Sequence, residues 1–226
     1  MYIPDSLTEF GQKQADALVD RMKCIKPDRV FASSSHRAVL TAQPTATALC
    51  KEIEILDWCN ESYAYREFSI RCEDGRRRWC FSDSRMIRQM ISPEIRHLNN
   101  EWYEHPDFVQ TNFKEGIQRI RHESDALLSG LGYRHVCEEG YYIAERPNDD
   151  RIALFAHQGF GMAFLSCLLD IPYPQFCTHF DMGYTGVTAI LFNGDDIVVP
   201  KVLQLSNDSH IFASGFETNY NGYCAF

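Results

Sequence analysis

The stretch that decides the fold is Arg29-Val30-Phe31-Ala32-Ser33-Ser34-Ser35-His36-Arg37, a short apolar run that ends in three serines, a histidine and an arginine. The run predicts a buried strand, and the apolar spacing beyond it predicts a helix from about Ser35 through Leu49. A helix that starts where a strand ends brings free backbone N–H groups, hydroxyls and the Arg37 guanidinium together. Such a pocket suits a phosphate group. The same residues are also explained by a serine N-cap beside a solvated arginine.

The segments on both sides of this stretch also read as alternating helices and strands. Thr8 is a suitable cap for an amphipathic helix that runs to about Lys23, and Ile-Glu-Ile-Leu at 53–56 predicts a short strand. Arg-Ile-Ala-Leu-Phe-Ala at 151–156 is a continuous apolar run, typical of a strand buried in a parallel sheet. Val-Thr-Ala-Ile-Leu-Phe at 187–192 and the run 197–205 predict further strands, and Pro200 places the last one at an edge.

These patterns predict an α/β protein with three layers, α/β/α, around a mostly parallel sheet. We expect a single domain over 1–226, with a helical insertion or cap at approximately 62–150, where the sequence changes character. That region should contain a long helix from about Phe108 to Leu131.

Composition limits the classes of partner. The chain has 226 residues, a formal charge of −9 and a pI near 5.3, which argue against nucleic acid engaged over the whole surface. The nine cysteines are an odd set without a C-x-x-C pair, as expected of a reduced, cytoplasmic protein. The sequence shows neither a signal peptide nor a run of 18 apolar residues, so we expect no membrane partner.

Two further groups of polar residues lie at predicted strand ends, where open α/β sheets place their ligands. His157, Gln158 and Gly159 follow the strand 151–156, and a histidine there can bind an anion or exchange protons near neutral pH. Glu61 follows the strand 53–56, and a carboxylic acid near a bound phosphate can protonate a leaving alcohol. Taken one at a time, these residues are better explained as an ordinary hydrogen-bonded histidine and an exposed loop glutamate.

Taken together and in order, four segments resemble the motifs of the histidine phosphatase superfamily, whose fold is that of phosphoglycerate mutase. They cover roughly 1–61 and 151–192, and the middle of the chain falls where that family carries its variable cap. The motifs are Leu7-Thr8-Glu9-Phe10-Gly11-Gln12-Lys13-Gln14-Ala15, Ala32-Ser33-Ser34-Ser35-His36-Arg37-Ala38-Val39-Leu40-Thr41-Ala42, Asn60-Glu61, and Ala156-His157-Gln158-Gly159.

The resemblance implies roles for the candidate site residues. Arg37 is similar to the arginine that clamps the phosphate, His157 to the second histidine that steadies the phosphoryl group, and Glu61 to the proton donor, while Gln158 joins the substrate-binding set. The implied activity is that of a phosphatase, a phosphoric monoester hydrolase that acts on a small phosphorylated molecule through a phosphohistidine. The resemblance implies no metal and no organic cofactor.

The chain departs from the family at the nucleophile. The family carries its nucleophilic histidine in an R-H-G tripeptide at the end of a first, central strand ahead of the L-T-E motif, and no R-H-G occurs in these 226 residues. We therefore expect that central strand to be absent, and His36 is a poor substitute because it lies where the family has a basic helix residue. Three interpretations stay open: a truncated piece of a functional phosphatase, a non-catalytic protein that binds a phospholigand, and a phosphomutase.

The middle region is rich in arginine from Arg66 to Arg96 and is interleaved with aromatic residues. One hypothesis is that this segment lines the substrate entrance and selects an anionic substrate. A solvated face is the equally weighted alternative, because arginine side chains are long and amphipathic.

Overall fold

A computed structural model describes residues 5–194, 196–218 and 220. Within these residues the helices and strands alternate in the N-terminal part and again after residue 150, as the sequence predicts. The helices are α1 Glu9–Ile25, α2 His36–Leu49, α3 Glu61–Phe68, α4 Ser84–Met90, α5 Pro93–Leu98, α6 Phe113–Gly130, α7 Gln158–Leu169, α8 Tyr173–His179 and α9 Ser209–Ala213. The strands are β1 Arg29–Ser33, β2 Ile53–Leu56, β3 Ser69–Arg71, β4 Arg77–Trp79, β5 Tyr133–Val136, β6 Tyr141–Ala144, β7 Ile152–Phe155, β8 Val187–Leu191 and β9 Lys201–Asn207.

The central sheet is parallel, with the strand order β2-β1-β7. Val30 of β1 is in register with Ile53 of β2 and with Ala153 of β7, and β1 is buried from Val30 onward. Because all three strands run the same way, the segments that follow them meet at one edge of the sheet. The predicted α/β class with a parallel sheet is confirmed.

The first helix begins where its cap predicts. The Thr8 hydroxyl accepts a hydrogen bond from the Gly11 N–H at 3.0 Å, and α1 then runs to Ile25, two residues beyond the predicted end. Its buried side chains include Leu18 and Met22, which belong to one apolar cluster with residues of β1 and β7.

Two predicted elements differ from the structure. The helix predicted from Phe108 begins only at Phe113, because Phe108 lies in a turn where it is buried against Trp102 and Phe113. Apolar spacing alone does not distinguish such a buried turn residue from the first turn of a helix.

The second difference concerns the last strands. β8 pairs with β9 in an antiparallel hairpin rather than extending the parallel sheet, because the short connection between them leaves no room for a crossover. β9 begins at Lys201, directly after Pro200. Among the described strands none pairs with the other edge of β7, and the absence of a central strand stays a prediction.

The apolar core extends from the middle region into α7. Phe68, Trp102 and Phe113 of the middle region belong to the same buried cluster as Phe160 and Met162 of α7. The middle region therefore packs directly against the helix that follows His157, and its being an insertion stays a prediction. No helix in the described part of the chain is long and apolar enough to span a bilayer.

Candidate active site

An anion already lies at the N-terminus of α2, and it is the carboxylate of Asp5. One carboxylate oxygen accepts a hydrogen bond from the His36 backbone N–H at 2.8 Å, and the other lies 3.0 Å from the Arg37 guanidinium. The Ser35 hydroxyl also donates to it. These contacts lower the pKa of Asp5 although its partial burial acts in the opposite direction. The N-terminus of α2 therefore provides the donors that bind an anionic oxygen group.

His157 lies beside this anion site, just past the end of β7. Its Nε2 atom is 2.9 Å from the Ser33 hydroxyl, which in turn accepts the Ser35 N–H at 3.2 Å. Burial and the nearby Arg37 lower the pKa of His157 to about 4, against a weaker opposite effect of Asp5. The imidazole is thus neutral at physiological pH.

Glu61 reaches the same edge of the sheet from the first turn of α3. Its two carboxylate oxygens accept the backbone N–H groups of Gly159 at 3.0 Å and Phe160 at 2.9 Å. Burial raises the pKa of Glu61, while these two N–H groups and Arg37 lower it, and the net direction is upward. Glu61 is thus the first residue of a helix rather than a loop residue, and it holds the N-terminus of α7.

The structure brings three of the predicted site residues together. Arg37 is close enough to shift the pKa of both His157 and Glu61, so the ends of β1, β2 and β7 contribute to one cluster. Gln158 is adjacent in sequence, but its side-chain amide donates to the Asp181 carboxylate. The roles that the resemblance implies for these four residues stay predictions.

Sequence reasoning missed three residues that shape the site. Asp5 lies before the first helix and carries no motif of its own, so its contact with Arg37 could not be foreseen. Ser33 was visible only as one of three serines, and its pairing with His157 depends on the register of β1 with β7. Trp79 covers Gly159 so closely that a Cβ atom on that glycine would overlap the indole ring.

The arginine-rich segment has mixed surroundings. Arg77 donates to the Ser69 hydroxyl at 3.0 Å, and Arg78 pairs with Asp74 at 2.5 Å, so both bond within the β3–β4 hairpin. Arg66 instead lines a cleft of about 450 Å³ with Arg119 and Tyr63 near the end of β2. The segment thus contains both locally paired arginines and one that faces open space.

The sequence matches a known family over its N-terminal part. Residues 4–67 match the profile of the Histidine phosphatase superfamily (branch 1), a range that contains Arg37 and Glu61. No curated protein sequence matches the chain. Over the rest of the chain, the similarity to known proteins is a similarity of fold.

Solved structures with the same fold cover about nine-tenths of the chain. Phosphoserine phosphatase of Entamoeba histolytica, in complex with 3-phosphoglyceric acid, is 18% identical with a TM-score of 0.55, covering 91% of this chain and 86% of that one. Mycobacterial glucosyl-3-phosphoglycerate phosphatase is 15% identical with a TM-score of 0.56, covering 90% and 89%. A putative alpha-ribazole-5'-P phosphatase from Escherichia coli is 20% identical with a TM-score of 0.54, covering 90% and 84%.

These findings confirm the resemblance to the histidine phosphatase superfamily. The match at 4–67 and the fold together define the class: this is an α/β protein with the architecture of that superfamily.

Proposed function

We propose that this protein is a phosphatase, a phosphoric monoester hydrolase that acts on a small phosphorylated molecule. The observation that carries the proposal is the Asp5 carboxylate, held by the His36 N–H, the Ser35 hydroxyl and Arg37. Carboxylate and phosphate present similar anionic oxygens to such donors, so Asp5 stands in for phosphoryl oxygens of the substrate.

Each side chain of the cluster has a task that suits phosphoryl transfer. Arg37 and the N-terminus of α2 neutralise the equatorial oxygens, which carry the charge in the transition state. His157, held neutral, donates a hydrogen bond to a phosphoryl oxygen without adding a charge of its own. Glu61, whose pKa is raised by burial, supplies a proton to the leaving alcohol oxygen.

The reaction itself has two steps, as the resemblance implies. An imidazole nitrogen bonds to phosphorus while the ester P–O bond breaks, and the alcohol oxygen takes the Glu61 proton. Water then attacks phosphorus and the P–N bond breaks, while the Glu61 carboxylate takes the water proton and inorganic phosphate leaves. In the family that the chain resembles, this imidazole belongs to an R-H-G tripeptide ahead of the L-T-E motif, and no R-H-G occurs in these 226 residues.

The substrate class that we propose follows the names of the neighbours. Those proteins are phosphatases of phosphoserine, of glucosyl-3-phosphoglycerate and, by a putative assignment, of alpha-ribazole phosphate. All three names describe small phosphorylated molecules.

The cytoplasm is the compartment that we propose, because each cysteine among the described residues is a free thiol.

A second candidate is a protein that binds a phospholigand without hydrolysing it. The contacts of the Asp5 carboxylate with Ser35, His36 and Arg37 are contacts for binding an anion, and they hold a phosphate ester whether or not it is hydrolysed. The binding contacts of the two candidates are the same, so only turnover separates them.

The test measures phosphate release from phosphoserine, 3-phosphoglycerate and a synthetic aryl phosphate. A phosphatase releases phosphate from at least one ester, loses most of that activity in Arg37→Gln and Glu61→Gln, and keeps it in Arg29→Gln. Arg29 is a matched control because it pairs with Glu54 at 2.6 Å at the opposite end of β1. Saturable binding without release supports the second candidate, and neither binding nor release would overturn both.

A further inference from the structure

Three metal-ligating side chains of different types meet far from the phosphate site. Asp125 comes from α6, His135 from β5, and Cys137 from the residue just past that strand. His135 Nδ1 lies 2.9 Å from Asp125 Oδ1 and 3.3 Å from Cys137 Sγ, and Cys137 Sγ lies 3.7 Å from Asp125 Oδ2. Each of the three side chains therefore places a donor atom within 4.8 Å of the other two.

These separations fit a zinc ion. Zinc binds nitrogen and oxygen at about 2.0–2.2 Å and thiolate at about 2.3 Å, and tetrahedral angles then place the donor atoms about 3.3–3.7 Å apart. His135 Nδ1 and Cys137 Sγ are already 3.3 Å apart, and the Asp125 carboxylate contacts each of them through a different oxygen, at 2.9 and 3.7 Å. A rotation of that carboxylate would let one oxygen serve as the third ligand. A set of one thiolate, one imidazole and one carboxylate suits zinc and does not suit magnesium or calcium, which prefer oxygen donors alone.

The surroundings of His135 match those of a metal-bound histidine. Its Nε2 atom is 2.7 Å from Asp170 Oδ2, and its ring stacks on Tyr142 at a centroid distance of 4.2 Å. Histidines that bind metals usually donate their second N–H to a carboxylate, which fixes the tautomer and the ring. If Nε2 donates its N–H to Asp170 in this way, Nδ1 carries the lone pair and lies next to Asp125 and Cys137.

The charges around the cluster balance in the zinc-bound form. Asp125, Asp170 and a Cys137 thiolate are three negative groups, and zinc together with Arg121, which pairs with Asp170 at 3.1 Å, compensates them. The metal-free alternative is a protonated His135 between two aspartates, whose carboxylates raise its pKa to about 9 against the effect of burial. In that alternative the Cys137 thiol donates a weak hydrogen bond to Asp125 Oδ2 at 3.7 Å, so zinc binding is the measurement that separates the two states.

We propose that Asp125, His135 and Cys137 bind one zinc ion and leave its fourth position open to water. The His135 side chain is 1% exposed, but that of Asp125 is 29% exposed, so the ion can enter from the Asp125 side. The ion links α6 to the β5–β6 hairpin. Asp170 is the C-cap of α7, whereas His157 is its N-cap, so this site lies at the other end of α7 from the candidate active site and takes no part in phosphoryl transfer.

The experiment titrates Zn²⁺, and Co²⁺ as a coloured substitute, into the chelator-stripped protein. We expect one equivalent to bind, with the thiolate-to-Co²⁺ charge-transfer band and a rise in Tm on zinc addition. Cys137→Ser should abolish the charge-transfer band, and Asp170→Asn should weaken zinc binding by about 10–100-fold. Cys50→Ser, at an exposed cysteine after α2, is the matched control and should change neither.

Two results would overturn the proposal. One is the absence of zinc binding at micromolar concentration by folded wild-type protein. The other is stoichiometric binding that survives both Cys137→Ser and His135→Gln. Because Cys137 is only partly buried, the serine variant should fold even if the His135 variant does not, and circular dichroism checks this.

Discussion

The side chain of Asp5 occupies the place where we expect a phosphate to bind. It has a positive φ of 63° and reaches the N-terminus of α2, where Arg37 pairs with it although both side chains are more than two-fifths exposed. An exposed ion pair of this kind is weak, since solvent screens it. A dianionic ligand should therefore displace the carboxylate, at the cost of the contacts that Asp5 makes.

Replacing Asp5 should strengthen phosphate binding. In Asp5→Asn the side chain no longer competes as an anion for Arg37, and we expect inorganic phosphate to bind about tenfold more tightly. Isothermal titration calorimetry measures the change, with Asp20→Asn, an exposed position on α1, as the control. Equal affinities in the wild type and Asp5→Asn would show that Asp5 does not compete.

The protonation of His157 is a second test at the residue scale. Its pKa of about 4 lies below the ordinary 6.5, so the fold excludes a proton that the unfolded chain takes up. Stability should accordingly fall as the pH drops from about 6.5 toward 4, and His157→Gln should reduce this dependence.

NMR of the His157 ring nitrogens measures the pKa directly. Arg37→Gln should raise the pKa, because it removes a positive neighbour, and Asp5→Asn should lower it further, because it removes a negative one. Titration of wild-type His157 near 6.5, unmoved by either substitution, would refute the described surroundings of the ring.

At the scale of elements, the turn between β7 and α7 depends on a close contact. Trp79 ends the β3–β4 hairpin and packs on Gly159, which leaves no room for a Cβ atom. The same turn presents the two N–H groups that Glu61 accepts. The hairpin, α3 and α7 thus hold one another in place around His157.

Adding a methyl group at this contact should destabilise the protein. Gly159→Ala should cost about 1–3 kcal/mol of unfolding free energy because the indole must move. Gly130→Ala is the control, since that helical glycine has open space around it, and alanine there should be neutral or stabilising by up to about 1 kcal/mol. Chemical denaturation measures both, and equal effects at the two glycines would contradict the packing.

Sequence patterns identified the elements that carry the candidate site more clearly than those of the middle region. β1, β2 and β7 are short apolar runs with clear ends, and α1 and α2 have regular apolar spacing, so their positions could be predicted. The region from Trp58 to Asn112 mixes arginines and aromatic residues without a steady period, and its short helices and hairpin are fixed by tertiary packing. Motifs proposed Arg37, His157 and Glu61 as site residues, and their roles stay predictions, whereas the contact of Asp5 with Arg37 depends on the fold.

At the scale of the molecule, one ion pair ties the middle region together behind the site. Arg119 of α6 binds both Glu67 carboxylate oxygens at 2.7 Å and donates to the Trp58 carbonyl at 2.9 Å. The Glu67 side chain is 8% exposed. This bidentate pair connects α3, which carries Glu61, with the long helix α6.

Breaking this pair should lower stability strongly. Arg119→Met leaves the Glu67 carboxylate buried and unpaired, at an expected cost of about 3–5 kcal/mol. Arg134→Met is the matched control, because its partner Glu145 is about half exposed and the pair should contribute at most about 1 kcal/mol. Urea unfolding compares the two variants, and similar losses would contradict the buried character of the Arg119–Glu67 pair.

The central claim is that the N-terminus of α2, with Arg37 and His157, forms a phosphate site. A crystal structure of the protein with inorganic phosphate tests it most directly. We predict a phosphate whose oxygens contact the His36 N–H, the Arg37 guanidinium and the His157 ring, with the Asp5 carboxylate displaced. Phosphate bound elsewhere at saturation, with Asp5 still on Arg37, would contradict the claim.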